Sequence, residues 1–247
     1  MPLSIATILG KTAPSVCLFG DSRQMPPIFR PEFENNNNSI SILDYCSQKV
    51  KGVPVAVLHT TYRMNESITN VVSKSFYEPY GITLRSAESI AFNLFHSAYM
   101  GRKGYQNSVV FADAGISTPG CQEENKGEAN AIVEMVKALL DEGKQPEDIA
   151  VITPFRKQVR LIRAKAREVI LTEELPLIDT VERLQGQDVD CIILSFASTD
   201  EQYIESIRGF LFNSNRLNVM ISRAKTKVLI FGCQQIQKEL KEKVFRV

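Results

Sequence analysis

The stretch from Asn213 to Lys225 reads NSNRLNVMISRAK, and the apolar run KVLIFG follows it at 227–232. The spacing predicts a helix, and because about 3.6 residues make one turn, Arg216, Met220 and Arg223 fall near one face. A guanidinium group is planar, permanently charged and well matched to phosphate oxygens. The apolar run predicts a buried strand, so the pair would form a rigid scaffold presenting arginine to a phosphate. Taken alone, however, the stretch fits an ordinary solvated basic face better.

Composition limits the function classes. The chain has 247 residues, of which 44% are hydrophobic and 23% charged, and its net charge is +1. These values are typical of a globular protein with one large or two modest domains. Because no global positive field exists, a site for a polyanion must be built locally from placed lysines and arginines.

Cysteine and histidine usage argues against metal chemistry. The five cysteines are scattered and form no C-x-x-C motif, and the chain has only two histidines. We therefore expect free thiols, no metal site and an intracellular location, cytoplasmic or nuclear. No apolar run approaches the length of a membrane span, and the first residues lack a signal-peptide pattern, so no membrane partner is expected.

Short apolar runs alternate with amphipathic segments along the chain. This alternation predicts an α/β fold with a doubly wound, mostly parallel sheet. Ligands collect at the carboxyl ends of the strands in such sheets, where we expect the polar segments 20–24, 153–154, 183–188 and Ser195. The predicted strands are 15–19, 53–59, 108–112, 149–153, 177–181, 189–196 and 227–231, and the predicted helices are 65–77, 128–142, 155–166, 213–225 and 234–244.

Two polar segments follow the first predicted strands. Gly20–Pro27 ends in a glutamine and prolines, which suits a sensor of phosphate or attacking water, although a polar β-turn stiffened by prolines explains it too. Tyr62 and Arg63 project from one loop, where a base would stack on the ring and a phosphate would meet the guanidinium. An arginine packed against an aromatic ring for structural reasons is an equal alternative there.

Two further segments lie in the second half. The turn 179–188 suits a ribose hydroxyl or a nucleic-acid backbone, or is a satisfied turn that needs Gly186 for its positive φ. Ile152–Gln158 places an aromatic ring and two cations at a strand end, which suits single-stranded nucleic acid. The alternative is a helix start with Phe155 in the core.

Together with the opening stretch, these segments occur in the order found in superfamily 1 helicases. The chain resembles the branch that contains the nonsense-mediated-decay helicase and the Okazaki-processing nuclease-helicase. The matching motifs are G-D-x-x-Q-x-P-P at Gly20–Pro27, Y-R-M-N at Tyr62–Asn65 with S-x-x-F-Y at Ser73–Tyr77, G-E-A at Gly127–Ala129, I-T-P-F-x-x-Q at Ile152–Gln158, T-V-x-x-x-Q-G-x-[ED] at Thr180–Asp188, and G-F-L with R-L-N-V-x-x-S-R-A-K at Gly209–Lys225.

The resemblance implies a RecA-like fold, as in the second motor domain of these P-loop NTPases, and a role for each matching residue. Gln24 would lie near the γ-phosphate, and Arg63 and Arg223 would be arginine fingers, so these three are the expected catalytic residues. The expected ATP-binding residues are Tyr62 at the adenine, Asp188 at the ribose where the family more often has Glu, Gln185 and Gly186 in a coupling turn, and Arg216. Thr153, Pro154 and Thr180 would bind nucleic acid.

The resemblance also implies a missing part. No G-x-x-x-x-G-K-[ST] occurs in the chain, and the Asp-Glu pair that holds Mg²⁺ in the family has no counterpart. We therefore expect residues 1–50 to be the end of a first motor domain with a linker, and 51–247 a second RecA-like domain. ATP and Mg²⁺ would belong to the complete enzyme, completed by an N-terminal motor domain from the same gene or a separate chain. The isolated chain would hold neither and would be inactive.

Alternatives remain at this stage. The leading interpretation is the C-terminal part of an ATP-dependent DNA or RNA helicase, and the alternative is a non-catalytic nucleic-acid-binding module or a decayed helicase, which would share the same motifs. A dinucleotide-dependent enzyme ranks last because no G-x-G-x-x-G follows a strand. The choice between DNA and RNA stays open.

Overall fold

The computed structural model describes residues 15–26, 43, 46, 54–99, 107–112, 118–171, 174–184 and 186–244. The chain divides into two compact units, 1–58 and 59–247. The predicted domain boundary between residues 50 and 51 stays a prediction. All five cysteines are free thiols. Within the described ranges, no helix has the length and apolar character needed to cross a bilayer.

The first unit contains a turn at residues 21–24. The Asp21 carboxylate accepts hydrogen bonds from the backbone N–H of Arg23 and from Nε2 of Gln24, both at 2.9 Å. The predicted strand 15–19 is wrong, because these residues form no strand and Phe19 is 94% exposed. An apolar run becomes a strand only where a neighbouring backbone completes the hydrogen-bond ladder, and no described residue does so here.

The second unit is built on a five-stranded parallel sheet. Two short strands, β1 (Thr60–Thr61) and β2 (Arg85–Ser86), pair separately. The main sheet has the order β3-β7-β6-β4-β5, and every described pairing is parallel. Its strands are β3 (Val109–Phe111), β4 (Ile149–Ile152), β5 (Leu177–Asp179), β6 (Val189–Ser195) and β7 (Ala224–Phe231).

Two predicted strands need correction. The first is the predicted strand 53–59, of which residues 54–59 form no strand. Leu58 is 85% exposed, so the β-forming residues of this run are not buried against the rest of the protein. The predicted strand 177–181 ends at Asp179, because Val181–Arg183 forms a 3₁₀ helix. This early end starts the connection from β5 to β6.

Seven α-helices accompany the strands in the described part of the second unit. The predicted helix 65–77 is an α-helix that continues as a π-helix at Ser73–Tyr77. The asparagines 65, 125 and 213 and Asp200 cap the amino ends of four helices with their side chains. The helices are α1 (Glu66–Val72), α2 (Lys126–Asp141), α3 (Arg156–Val169), α4 (Glu201–Ser206), α5 (Arg208–Leu211), α6 (Ser214–Ser222) and α7 (Gln234–Lys243).

Both faces of the sheet are covered. The apolar stripes of α2 and α3 pack on one face, against alternate residues of the central strands such as Val151, Ile193 and Leu229. The intervening residues, among them Ile192 and Ile230, are also buried, and α1 and α6 contact β7. Since successive strand residues point to opposite faces, the sheet is doubly wound, as predicted.

Candidate functional site

A charged cluster lies at the amino ends of two adjacent strands. Asp188 immediately precedes β6 and Arg223 immediately precedes β7, and the N–H of Val189 donates to the Arg223 carbonyl at 3.1 Å. The expectation that the 183–188 segment ends at the carboxyl edge of the sheet is therefore wrong for Asp188. Because β5 and β6 are parallel, their connection must run from the carboxyl end of β5 back to the amino end of β6.

Arg63 reaches this cluster from the loop after β1. Asn65 holds that loop: its N–H donates to the Lys225 carbonyl at 2.9 Å, and its Nδ2 donates to the Thr226 carbonyl at 3.3 Å. Its Oδ1 accepts from the N–H of Ile68 at 3.1 Å and so caps α1. The motif Y-R-M-N at Tyr62–Asn65 does not by itself reveal this role of Asn65. An asparagine directly before an amphipathic helix is the signal for the cap.

Arg63 and Arg223 converge on one oxygen. Nε of Arg63 lies 2.5 Å from Oδ1 of Asp188, and Nη1 of Arg223 lies 3.8 Å from the same atom. The shorter contact is an ion pair by distance and does not have hydrogen-bond geometry. Nη1 of Arg63 also donates to the Ser222 carbonyl at 3.2 Å. Two guanidinium groups share one carboxylate, so the three side chains carry an excess of one positive charge.

An open cleft of about 390 Å³ adjoins this charged cluster. Tyr62 forms part of its wall and is 77% exposed. Because structural packing would cover the ring, this exposure argues against the alternative that Arg63 packs on Tyr62 for structural reasons. The lining residues are Tyr62, Arg63, Ile90, Phe92, Asn93, Leu94, His96, Asp190, Lys225 and Thr226.

Arg216 lies on α6, the helix that ends just before Arg223. Its Nη2 lies 3.1 Å from Oε1 of Glu182, and its guanidinium lies over the Phe210 ring at 4.2 Å from the centroid. It thus ties α6 to the 3₁₀ helix of the β5–β6 connection. Gly186, in the same connection, has φ +88°, as the turn prediction required. Gln185 lies outside the described residues.

The predicted nucleic-acid residues Thr153, Pro154 and Thr180 lie at the opposite, carboxyl edge of the sheet. We call these three the nucleic-acid track. All three side chains are buried, and the Thr153 N–H donates to the Asp179 carbonyl at 3.2 Å. Phe155 is buried among aromatic rings, so its place in the core is the interpretation that holds.

A buried network of Asn125, Glu128, Gln158 and Ser195 closes the carboxyl end of β6. Ser195 Oγ donates to Glu128 Oε1 at 2.7 Å and accepts from Gln158 Nε2 at 3.0 Å. The Asn125 N–H donates to Gln158 Oε1 at 2.8 Å. Burial raises the pKa of Glu128 to about 7, although its hydrogen bond from Ser195 acts the other way. The sequence placed Glu128 in a motif without predicting that it is buried.

The buried network also holds a left-handed residue. Ala197, two residues beyond β6, has φ +58°. Its N–H donates to Glu128 Oε1 at 3.1 Å, and its carbonyl accepts from Asn125 Nδ2 at 3.2 Å. Alanine rarely adopts this conformation, so these two hydrogen bonds maintain local strain.

Gln24 belongs to the first unit, where its side chain amide is held by Asp21. Across the described ranges, no group of three His, Cys, Asp or Glu residues is placed to hold a metal ion.

Comparison with known proteins gives the family. The family model described as an AAA domain matches residues 39–235, most of the chain. The chain belongs to this family, which is typical of superfamily 1 helicases. Its five-stranded parallel sheet with helices on both faces agrees with the predicted doubly wound α/β class.

The relatives are replication and DNA-binding proteins by their names. The DNA replication ATP-dependent helicase/nuclease JHS1 of Arabidopsis thaliana is 29% identical over 95% of this chain and 18% of its own length. The DNA-binding protein SMUBP-2 of Rattus norvegicus is 29% identical over 88% of this chain and 22% of its own. The human helicase/nuclease DNA2 is 27% identical over 87% and 22%. The chain thus spans about a fifth of the length of these relatives.

Among solved structures, the C-terminal domain of a possible DNA helicase from Lactobacillus plantarum aligns with a TM-score of 0.42 at 13% identity. The alignment covers 70% of this chain and 88% of that domain.

Proposed function

We propose that this helicase-family chain supplies the arginine fingers and a single-strand binding surface of an ATP-dependent DNA or RNA helicase. The observation that supports this most is the convergence of Arg63 and Arg223 on Oδ1 of Asp188. Two residues far apart in sequence meet at one negatively charged oxygen, which is the arrangement a shared phosphate needs.

The charge of the cluster formed by Arg63, Asp188 and Arg223 suits the polyphosphate of a nucleotide. The charged cluster has an excess positive charge, and the adjoining cleft is open to an anion. When bound with Mg²⁺, ATP would provide the phosphoanhydride bond that is hydrolysed. Arg63 and Arg223 would turn from the Asp188 carboxylate to the terminal phosphate and stabilise the negative charge of the transition state. Arginine fingers contribute roughly 10³–10⁵-fold in related systems.

The other site residues take supporting roles in this proposal. Tyr62 stacks on the base, and Asp188, once released from the arginines, accepts a hydrogen bond from the ribose. Gln24 couples the nucleotide state to nucleic acid together with Gln185 and Gly186. Arg216 acts through Glu182, because it holds α6 against the connection that contains the coupling turn.

The connection 180–188 is the proposed coupling element. It begins at Thr180, on the nucleic-acid track, and ends at Asp188, in the charged cluster. A movement of the arginines toward a phosphate would therefore pull on the segment that starts at the nucleic-acid track. The partners are single-stranded DNA or RNA and a phosphate-loop domain. The free state of all five cysteines supports an intracellular location.

The test is an ATPase assay with and without single-stranded DNA and RNA. It compares the chain alone with the chain joined at its N-terminus to the phosphate-loop domain of a relative such as human DNA2. We expect nucleic-acid-stimulated turnover only in the joined protein. Appreciable turnover by the pure chain would contradict the proposal.

A non-catalytic nucleic-acid-binding module is the second candidate. It shares the motifs of the first candidate and differs from it only in lacking ATP hydrolysis. The same assay separates the two, because a decayed helicase would gain no turnover from the added domain while still binding the single strand.

A further inference from the structure

Helix α3 carries a line of arginines that the proposed ATPase site does not use. Its exposed Arg156, Arg160, Arg163 and Arg167 recur at intervals of three and four residues, which places them on one stripe roughly 16 Å long. We call this set the arginine stripe. The core side of the helix is formed by Gln158, Val159, Ile162 and Ala166.

The amino end of α3 carries cations where three other helices of the second unit carry a capping side chain and an acidic residue. Helices α1, α2 and α4 each begin with an Asn or Asp side-chain cap and have an acidic residue in the first turn. Helix α3 has neither, and begins instead with Arg156 and Lys157. Cations at an amino end oppose the helix dipole, and like charges one turn apart repel. A helix that keeps such a pattern against its own stability is a candidate for an anionic partner.

Within the protein, Arg163 alone of the four has an ion pair among the described residues. Its Nη2 lies 2.9 Å from Oδ2 of Asp179, and its Nε donates to the Ile178 carbonyl at 2.8 Å. No described carboxylate pairs with Arg156, Arg160 or Arg167. Arg163 therefore fixes the stripe along β5, the outer strand of the sheet.

The stripe also begins at the nucleic-acid track. Arg156 follows Pro154 by two residues, and Thr180 follows the last residue of β5. A single-stranded nucleic acid bound at the track could continue along helix α3, beside the outer strand β5. It would then meet four guanidinium groups in succession. A regular line of cations matches the regular spacing of backbone phosphates and requires no particular base.

We propose that the arginine stripe of α3 binds the sugar-phosphate backbone of the nucleic acid next to the track. This inference rests on the proposed function, since it extends the single-strand surface. Because the chain as a whole carries a net charge of only +1, affinity for a polyanion must come from such a local concentration of charge.

The test measures binding of fluorescein-labelled oligo(dT) and oligo(U) by anisotropy over a series of salt concentrations. The variant replaces Arg156, Arg160 and Arg167 with Gln and leaves Arg163 in place, because Arg163 also fastens α3 to β5. The control replaces Lys238, Lys241 and Lys243, three exposed lysines of α7, with Gln. Both variants lose three positive charges, so a general charge effect would affect them equally.

We expect the arginine variant to bind at least tenfold more weakly at low salt. The slope of log affinity against log salt should fall by about 2, since each phosphate contact on a single strand contributes about 0.7. The single variant Arg160→Glu should lower affinity in the same direction, and circular dichroism should show that all variants keep the fold.

Three results would overturn the inference, and they are distinguishable. If both triple variants lose affinity equally, the effect is one of net charge alone. If poly-glutamate of equal charge displaces the oligonucleotide as well as an unlabelled strand does, the stripe is a site for acidic peptides. If the unmodified chain binds neither oligonucleotide, the proposed nucleic-acid surface fails together with the stripe.

Discussion

The two ends of strand β6 handle charge in opposite ways. At its amino end, Asp188 meets Arg63 and Arg223 beside an open cleft, and the groups are partly exposed or paired. At its carboxyl end, roughly 23 Å away, Glu128 and Ser195 sit in a closed network, where burial raises the pKa of the carboxyl group to about 7. One end leaves its charged side chains beside an open cleft. The other end buries a carboxyl group, with its pKa raised to about 7, that accepts a hydrogen bond from the backbone N–H of Ala197.

The two ends of the strand differ because one is open to water and ions and the other is closed. A charge excess is tolerable where an anion or water can approach, and is costly in a closed site. The amino edge is therefore suited to a phosphate, while the buried network is suited to fixing the strand end and the strained Ala197. The connection 180–188 joins the two edges, and Arg216 fastens it to α6.

The largest expected effect comes from removing an arginine of the charged cluster. Arg223→Ala, in the protein joined to a phosphate-loop domain, should lower ATP turnover by roughly 10³-fold or more. It should spare binding of single-stranded nucleic acid, because Arg223 lies at the other edge of the sheet from the track. Turnover and anisotropy measurements check both. Arg208→Ala, which removes an arginine paired with Glu239 at 2.7 Å, is the control. Normal turnover in Arg223→Ala would remove this residue from the site.

The buried network should give the next largest effect, measured as stability against pH. Between about pH 4.5 and 7 the folded protein keeps the Glu128 proton that the unfolded chain releases. The contribution of Glu128 to the free energy of unfolding should therefore fall as pH rises through this window, by about 3 kcal/mol in total. Glu128→Gln cannot titrate and should flatten the profile of urea unfolding measured from pH 5 to 8. Glu134→Gln, an exposed position on the same helix, should leave the profile unchanged.

A third experiment tests the amino end as an anion site. Asp188→Asn removes the carboxylate that Arg63 and Arg223 share, so the isolated chain should bind inorganic tripolyphosphate about fivefold more tightly, or by about 1 kcal/mol. Calorimetric titration at low salt measures this. Asp141→Asn, at an exposed position paired with Lys137, should not change the affinity. A weaker affinity in Asp188→Asn would mean that the carboxylate is needed to keep the arginines in place.

The smallest expected effect concerns the strain at the carboxyl end. Ala197→Gly should raise the free energy of unfolding by about 0.5 kcal/mol, because glycine adopts positive φ without the steric cost but gains freedom in the unfolded chain. Ala164→Gly, in the exposed face of α3, should lower it by about 1 kcal/mol. Chemical unfolding of both variants provides the comparison. A loss of stability in Ala197→Gly would show that the network does not hold a strained residue.

Much of the second unit follows from its sequence. The runs at 149–152, 191–194 and 228–231 are continuous and apolar, so burial on both faces could be predicted. The predicted helix 213–225 is too long at its carboxyl end, because it stops at Ser222 and strand β7 begins at Ala224. The caps Asn65, Asn125 and Asn213 mark where helices begin. The strand predictions were wrong at 15–19 and 54–59, where an apolar run lacks strand neighbours in the described structure. The prediction that Asp188 lies at the carboxyl ends of the strands was wrong, because the residues of a connection do not encode the path that it takes across the sheet.

The order of motifs and the alternation of apolar runs by themselves determined the family and the doubly wound sheet, because hydrophobic periodicity is a local property that sequence displays directly. Only the tertiary structure decided that Arg63 and Arg223 meet on one carboxylate, that Thr153 and Thr180 lie at the opposite edge, and that Glu128 is buried. Each of these depends on which distant segments become neighbours. Local preference cannot fix that choice, because it is made by the packing of the whole sheet.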